Sequence, residues 1–566
     1  MVMYADHIFT NAAVWQPLGM PPATTVTVSD GTIVAIGSDV DRDLVSASTV
    51  IHDFAGASLL PGFIDAHVHP VAGGLAALRC DLSELAHDRR GYLEAIAAYV
   101  DSHPDAPVIT GSGWYGDAFP GGLPTRADLD EVVADRPAVL SSHDGHGVWV
   151  NSAALADAGI DRHTPDPTGG RIDRDAAGEP TGVLFERAAD SVQALAPEID
   201  DDVLREALLT AQRRLHSVGV TGWQDAGVDI PAFGLSDTLA TYLAADEAGE
   251  LTARVCGALW WAAEQGLSQI DAVRERRALS RHGGRFHVDT VKVMQDGICE
   301  NCTAAMLAPY SGLPTGADPT GLSFIDPAEL NEVCALLARD EFHIHMHAVG
   351  DRAVRECLDA LGAARAANPE FDAAHQIAHL DVVDPQDIPR FAALGVMANI
   401  QALWARRDIE IVERKLPLLG ADRERWHFPF GSISAAGGTL AMGSDWPVTD
   451  PNPLWAIHTA VNRTGSDADP HAIGTDARTV PLVAEEALTL RTAVDAYTIG
   501  AARAAHCAQH AGSIEIGKDA DLVALSGDIS TAQDIGCLTA QLTMVGGNVV
   551  GGSALGENIG GRACAH

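Results

Sequence analysis

Eight short apolar or alternating runs recur along the chain, and that count constrains the fold more than any other feature. They are "GFIDAHVHP" from Gly62, "GVTGWQDAG" from Gly219, "LTARVCGALWW" from Leu251 and "FHVDTVKVMQDG" from Phe286, then "FHIHMHAVG" from Phe342, "AHQIAHLD" from Ala374, "GVMANIQAL" from Gly395 and "GTLAMGSDWPV" from Gly438. Between most of them lie amphipathic stretches such as "PAELNEVCALLARDE" and "RAVRECLDALGAARAA". Strand-then-helix units in this number are what a closed parallel barrel needs. The expected class is therefore α/β, a TIM-type (β/α)8 barrel. At 566 residues the chain has room for that barrel and for satellite modules.

Both ends differ from the middle. "TTVTVSDGTIVAIGS" near the start and "GSIEIGKDADLVAL" and "AQLTMVGGNVVGG" near the end alternate and turn like antiparallel strands. They predict one small β-sandwich built from residues 1–60 and 511–566. The barrel is expected over 61–75 and 206–510. The long gap at 76–205 predicts an inserted α+β subdomain after the first strand, and 298–325 a second excursion after the fourth.

In such barrels the chemistry sits at the C-terminal ends of the strands. The first run ends in His67 and His69, the fourth carries Lys292 and the fifth ends in His347. The sixth ends in His379 and the eighth in Asp445. Alternation puts His67 and His69 on one strand face, so both can reach one ion. Lys292 is one of only three lysines in the chain. Its strand is buried on both faces, where an ammonium is costly and a neutral, nucleophilic amine is favoured. Such an amine can take up carbon dioxide as a carbamate able to bridge two metal ions. The alternative is a buried ion pair from Lys292 to Asp225 or Asp296.

"LLPGFIDAHVHP", "VKVMQDG", "HAVGDRAV", "IAHLD" and "GSDWPV" resemble the amidohydrolase superfamily. "GSGWYGDAFPGGLPTRADLDEV", "SSHDGHGVWVNSAAL" and "GEPTGVLFE" narrow the resemblance to its YtcJ-like metal-dependent hydrolases. The resemblance implies that His67, His69 and Asp445 hold a more buried metal and His347 and His379 an outer one. It implies that Lys292, as N6-carboxylysine, bridges the two. A metal-bridging hydroxide would attack, and Asp445 would orient it, take its proton and deliver it to the leaving amine. Zinc is the expected ion for imidazole and carboxylate donors, with manganese and iron as alternatives. The resemblance also makes His146 a candidate to contact the substrate carbonyl.

The chain departs from the family at the sixth strand, where Gln376, Ile377 and Ala378 precede His379. A different polar anchor for the substrate is expected there. After the fourth strand "DGICENCTAAM" stands in place of a Gly-Ser-rich turn. Asp296, Glu300 and Asn301 are expected in a variant substrate pocket, and the "CENC" cysteines as lining rather than a redox pair. Trp114, Trp404 and Trp446 fall in expected loops near the mouth and suggest aromatic recognition. On the strand "FHIHMH" only His347 should reach the metals, with His345 behind it as a supporting partner and His343 structural.

A formal net charge of −40 argues against nucleic acid and anionic membranes as partners. The start of the chain lacks the pattern of a signal peptide, no run is long enough to span a membrane, and nine scattered cysteines do not resemble a disulfide framework. A cytoplasmic protein is expected, with a homodimer as the base-rate assembly and a small amide-like molecule as substrate. The expected reaction is hydrolysis of a carbon–nitrogen bond. Rival readings are a mononuclear hydrolytic deaminase, an aldolase-like enzyme with Lys292 as Schiff-base nucleophile, and a non-catalytic ligand-binding protein.

Overall fold

The computed structural model describes residues 4–83, 85, 87–143, 147–167, 170–228, 235, 237–280, 283–300, 302–311 and 319–552. The chain divides into two compact units. One comprises residues 1–69, 212–230 and 236–566, the other 70–211 and 231–235.

The first unit carries the expected barrel. Its eight strands are Phe63–Val68, Val220–Asp225, Arg254–Trp260, Phe286–Met294, His343–Ala348, Gln376–His379, Met397–Ile400 and Leu440–Met442. They lie side by side in chain order, all parallel. The eighth returns to the first through backbone bonds just beyond the strand ends: the Asp445 amide donates to His67 O at 2.7 Å and the His69 amide to Trp446 O at 2.8 Å. Gly443 permits this approach, since a Cβ there would stand 2.5 Å from the His67 nitrogen.

The strands are buried on both faces, which is why they read as apolar runs rather than clean alternation. Helices between them bury one stripe. In Pro327–Arg339 the stripe is Leu330, Val333, Cys334 and Leu337, and Asp326 caps the helix by accepting from the Ala328 amide. The excursion after the fourth strand buries Cys299, Cys302, Ala304, Met306 and Tyr310 against Val349, Val382 and Leu419. The "CENC" cysteines are therefore core side chains rather than pocket lining, and burial pushes both thiols up. Among the described residues, seven cysteines are free and buried.

Both chain ends contribute to a sandwich in the same unit. A sheet of Thr32–Gly37, Thr25–Ser29, His7–Thr10 and Val50–Asp53 faces a second one. That second sheet runs Ala13–Val14, Ser58–Pro61, Leu522–Leu525, Ala540–Val545 and Asn548–Gly551. Phe9, Val26, Val28, Ile33, Leu59, Leu522, Leu542 and Met544 form their shared core.

The second unit holds a six-stranded mixed sheet in the order Gly170–Arg174, Pro180–Glu186, Gly147–Val150, Ala138–Ser142, Ile109–Trp114 and Cys80–Asp81. Trp114 belongs to its core. The indole is 3% exposed, lies edge-on to Phe119 and Trp149 and donates to Leu140 O at 2.9 Å. It is packing, not the mouth-lining residue its loop-like context suggested. No described helix is long and apolar enough to cross a membrane.

Candidate metal centre

The strand ends bring the expected ligands together. Asp445 Oδ1 lies 3.3 Å from Nε2 of His67 and 3.3 Å from Nε2 of His69. One ligand atom from each of the three falls within 4.8 Å of the others, a spacing a metal ion can fill. The His379 ring lies 4.9 Å from His67 and 4.5 Å from His347, centroid to centroid. Among the described residues, buried His379 Nδ1 has no hydrogen-bond partner, as expected of a nitrogen reserved for a ligand. Imidazoles, a carboxylate and an orphaned nitrogen fit divalent transition metals.

Local backbone strain shapes this cluster. Asp445, His379 and Leu380 all adopt left-handed conformations, at φ 58°, 80° and 57°. Non-glycine residues there cost of order 1–3 kcal/mol each and persist where the surroundings hold them. At Asp445 the holding bond is the amide contact to the first strand. At His379 it is Gln401 Oε1, which accepts from the His379 amide at 3.0 Å.

Two of the imidazoles, His347 and His67, have a backing group. His347 Nδ1 donates to Asp296 Oδ1 at 3.1 Å, leaving Nε2 on the other side of the ring. Asp296 is wholly buried and accepts from the amides of Ala305, Val349 and Gly350. It therefore supports His347 and does not line a pocket, correcting the expectation. His345 Nε2 meets His67 Nδ1 at 2.9 Å, the supporting role read for it. Asp65, two residues before His67, ties the first strand to the eighth by accepting from the amides of His67 and Ser444. Burial raises its carboxyl to about 7, with hydrogen bonds from Ser444 and His67 opposing.

Lys292 is buried, and desolvation lowers its amine to about 7, opposed by the negative charge of Asp445. The alternative ion pair does not form among the described residues. Asp225 accepts instead from Tyr242 Oη and the Gly227 amide, and Asp296 is engaged as above. Burial opposes ionisation of Asp445 too. The hydrogen bond from His69, then the charges of His379, His69 and Lys292, outweigh it and hold the carboxyl below its ordinary value. Burial first, then neighbouring positive charge, keeps His67 and His379 neutral, the form in which imidazole binds metal.

The other candidates separate. Trp404 stacks on His379, ring centroids 5.3 Å apart and planes 4° from parallel, with Nε1 donating to Thr449 Oγ1. Trp446 is buried, its amide held by Ser444 Oγ at 3.0 Å. Glu300 is engaged in a buried triad: Lys415 Nζ lies 2.9 Å from it and 2.5 Å from Asp381. Gln376 is fully buried and bonded to Gln224 and Asn399, so it is no substrate anchor. His146 and Asn301 lie outside the described residues.

Gln224, Asn399 and Gln401 escaped the sequence reading. Their signal was an amide side chain inside an apolar strand, as in "GWQD" and "MANIQ".

Residues 50–551 match the amidohydrolase family. The chain belongs to that family. It is 31% identical over 530 residues to the Arabidopsis thaliana protein LONG AFTER FAR-RED 3, covering 92% of this chain and 87% of that one. It is 28% identical over 537 residues to the N-substituted formamide deformylase of Arthrobacter pascens, covering 92% of each. An uncharacterized metal-dependent hydrolase from Pyrococcus horikoshii has the same fold, with a TM-score of 0.71, 22% identity and coverage of 93% of this chain and 99% of that one.

Proposed function

We propose that this family member is a metal-dependent hydrolase cleaving an amide-type carbon–nitrogen bond of a small molecule. The observation that carries the reading is the convergence of His67, His69 and Asp445 beside buried Lys292, with His347 and His379 adjoining. The deformylase named above gives a relative whose name describes such chemistry.

His67, His69 and Asp445 would hold one divalent ion and His347 and His379 a second, zinc by its donor set, with Lys292 ligating both as N6-carboxylysine. Bound metal would supply Lewis acidity and bring water's pKa towards neutrality. Asp445, held ionised by its neighbours, takes a proton from the attacking water and passes it to the leaving nitrogen, so that amide and water become carboxylic acid and amine. The flat Trp404 face beside His379 supplies an apolar surface for a planar substrate group.

Elemental analysis of the purified protein, combined with a hydrolysis screen over N-acyl, N-formyl, cyclic amide and ester compounds, tests this reading. Two ions per chain and turnover of amides are expected. One tightly held ion with deamination of heterocycles would favour the mononuclear alternative. Full metal loading with no turnover across the panel would favour a non-catalytic binding protein.

A further inference from the structure

Behind the candidate metal centre a line of buried amides crosses the barrel, linking the sixth strand's end to the first strand. The His379 backbone amide donates to Gln401 Oε1 at 3.0 Å, and Gln401 Nε2 donates to Asn399 Oδ1 at 3.1 Å. Asn399 Nδ2 donates to Ala66 O at 2.9 Å and to Gln376 Oε1 at 2.7 Å. Gln376 Nε2 donates to Gln224 Oε1 at 2.9 Å. That same oxygen lies 3.2 Å from His345 Nδ1, and His345 Nε2 lies 2.9 Å from His67 Nδ1.

Amide orientation and imidazole tautomer are ambiguous in an isolated pair, but here both ends of the line are backbone groups with a single role. A peptide N–H only donates, so Gln401 must turn its oxygen to His379 and its nitrogen to Asn399. A peptide carbonyl only accepts, so Asn399 must turn its nitrogen to Ala66. Gln376 then shows its nitrogen to Gln224, and Gln224 shows its oxygen to both Gln376 and His345. A neutral His345 must carry its proton on Nδ1, and its Nε2 can only accept. His67 is left to donate from Nδ1. The opposite arrangement would set two acceptors, His345 Nδ1 and Gln224 Oε1, 3.2 Å apart.

We infer that Gln224 is a positioning residue for the metal centre: through His345 it holds His67 in the Nδ1–H tautomer, so that Nε2 turns a lone pair towards the metal. The inference rests on the reading of His67 as a metal ligand and extends it to a residue on the second barrel strand. The line is a fixed support and not a proton wire, because a primary amide at Gln224 does not exchange protons as a carboxylate or imidazole does.

Zinc affinity of the full chain, measured by chelator competition, together with 15N shifts of histidine-labelled protein, tests it. Gln224→Leu removes the acceptor and should weaken zinc binding about 10–100-fold, with the His67 ring dividing between tautomers. Gln224→Glu keeps an acceptor facing His345 and should bind zinc within a few-fold of wild type. The wild-type spectrum by itself should show His67 protonated at Nδ1 and bare at Nε2, a readout independent of how the variants fold. Unchanged zinc affinity in folded Gln224→Leu, or a wild-type His67 carrying its proton on Nε2, would overturn the inference. If His67→Ala binds zinc as tightly as wild type, the metal-ligand reading fails instead.

Discussion

The two ends of the barrel are both rich in histidine, and they use it in opposite ways. At the C-terminal mouth, His67, His69, His347 and His379 crowd around Asp445. At the N-terminal end, His343 Nδ1 accepts from the Ala374 amide, His375 Nδ1 from the Ile344 amide, and His506 bonds Thr290 Oγ1 while stacking 3.6 Å from His343. His216 there spends its nitrogens on Val220 O and Thr252 Oγ1. These lower rings fasten backbone and neighbouring strands, whereas the upper ones keep a nitrogen for the site. The strand His343–Ala348 holds the contrast in one alternating face: His343 at the bottom supports loops, His345 in the middle supports His67, and His347 at the top leans on Asp296. Histidine function in this barrel follows depth along the strand.

Substitutions at the two ends should separate most sharply. Asp445→Asn, which would remove the proposed proton carrier and keep the shape, should cut kcat by about 10²–10⁴-fold, measured on whichever amide the screen identifies. His343→Gln should leave kcat within a few-fold of wild type. Equal losses at the two positions would break the comparison. Lys292→Arg, charged at every accessible pH, should lower the ion-to-chain ratio in elemental analysis. No change in that ratio would remove Lys292 from the ligand set.

Acid should destabilise the protein through the buried neutral rings of the lower end. Burial lowers His216 and His375 from 6.5 to about 4 and His343 to about 3, the last two helped by no counter-charge. The unfolded chain therefore takes up protons before the folded one as pH falls. The stability these rings contribute is present above 6.5 and is lost progressively as pH drops towards 4 and 3. Each costs up to about 1.4 kcal/mol per pH unit within that window. Denaturant midpoints measured across it should fall, and His375→Gln should flatten the fall. A flat wild-type profile would contradict the assignment. The smallest effect is expected at Trp404→Ala, where loss of one aromatic face of about 0.5–1.5 kcal/mol should raise KM for aromatic amides by about 2–10-fold and leave short aliphatic amides nearly unchanged.

The eight strands and the cluster of candidate ligands at their ends were legible because each is a local pattern: an apolar run, and a polar residue where that run ends. The two buried lysines show where local pattern stops. Lys292 is conspicuous within an alternating strand, whereas Lys415 attracts no notice in "VERKLPLL". Only the fold brings Asp381 and Glu300 to Lys415, and their charges outweigh its desolvation and raise its pKa. The same limit hid Asp296, whose partner His347 is 51 residues away, and Trp114, whose loop-like surroundings conceal a packed core. The amide line from Gln401 to Gln224 runs through three strands, and no segment of sequence contains two of its contacts in a row that would announce it.

Diffraction from crystals of the protein purified with its metal, with anomalous data at the zinc edge, tests the central claim most directly. The account predicts two peaks among His67, His69, Lys292, His347, His379 and Asp445, and density extending beyond Lys292 Nζ for a carbamate. A bare amine at Lys292 with no anomalous peak among these side chains would contradict it.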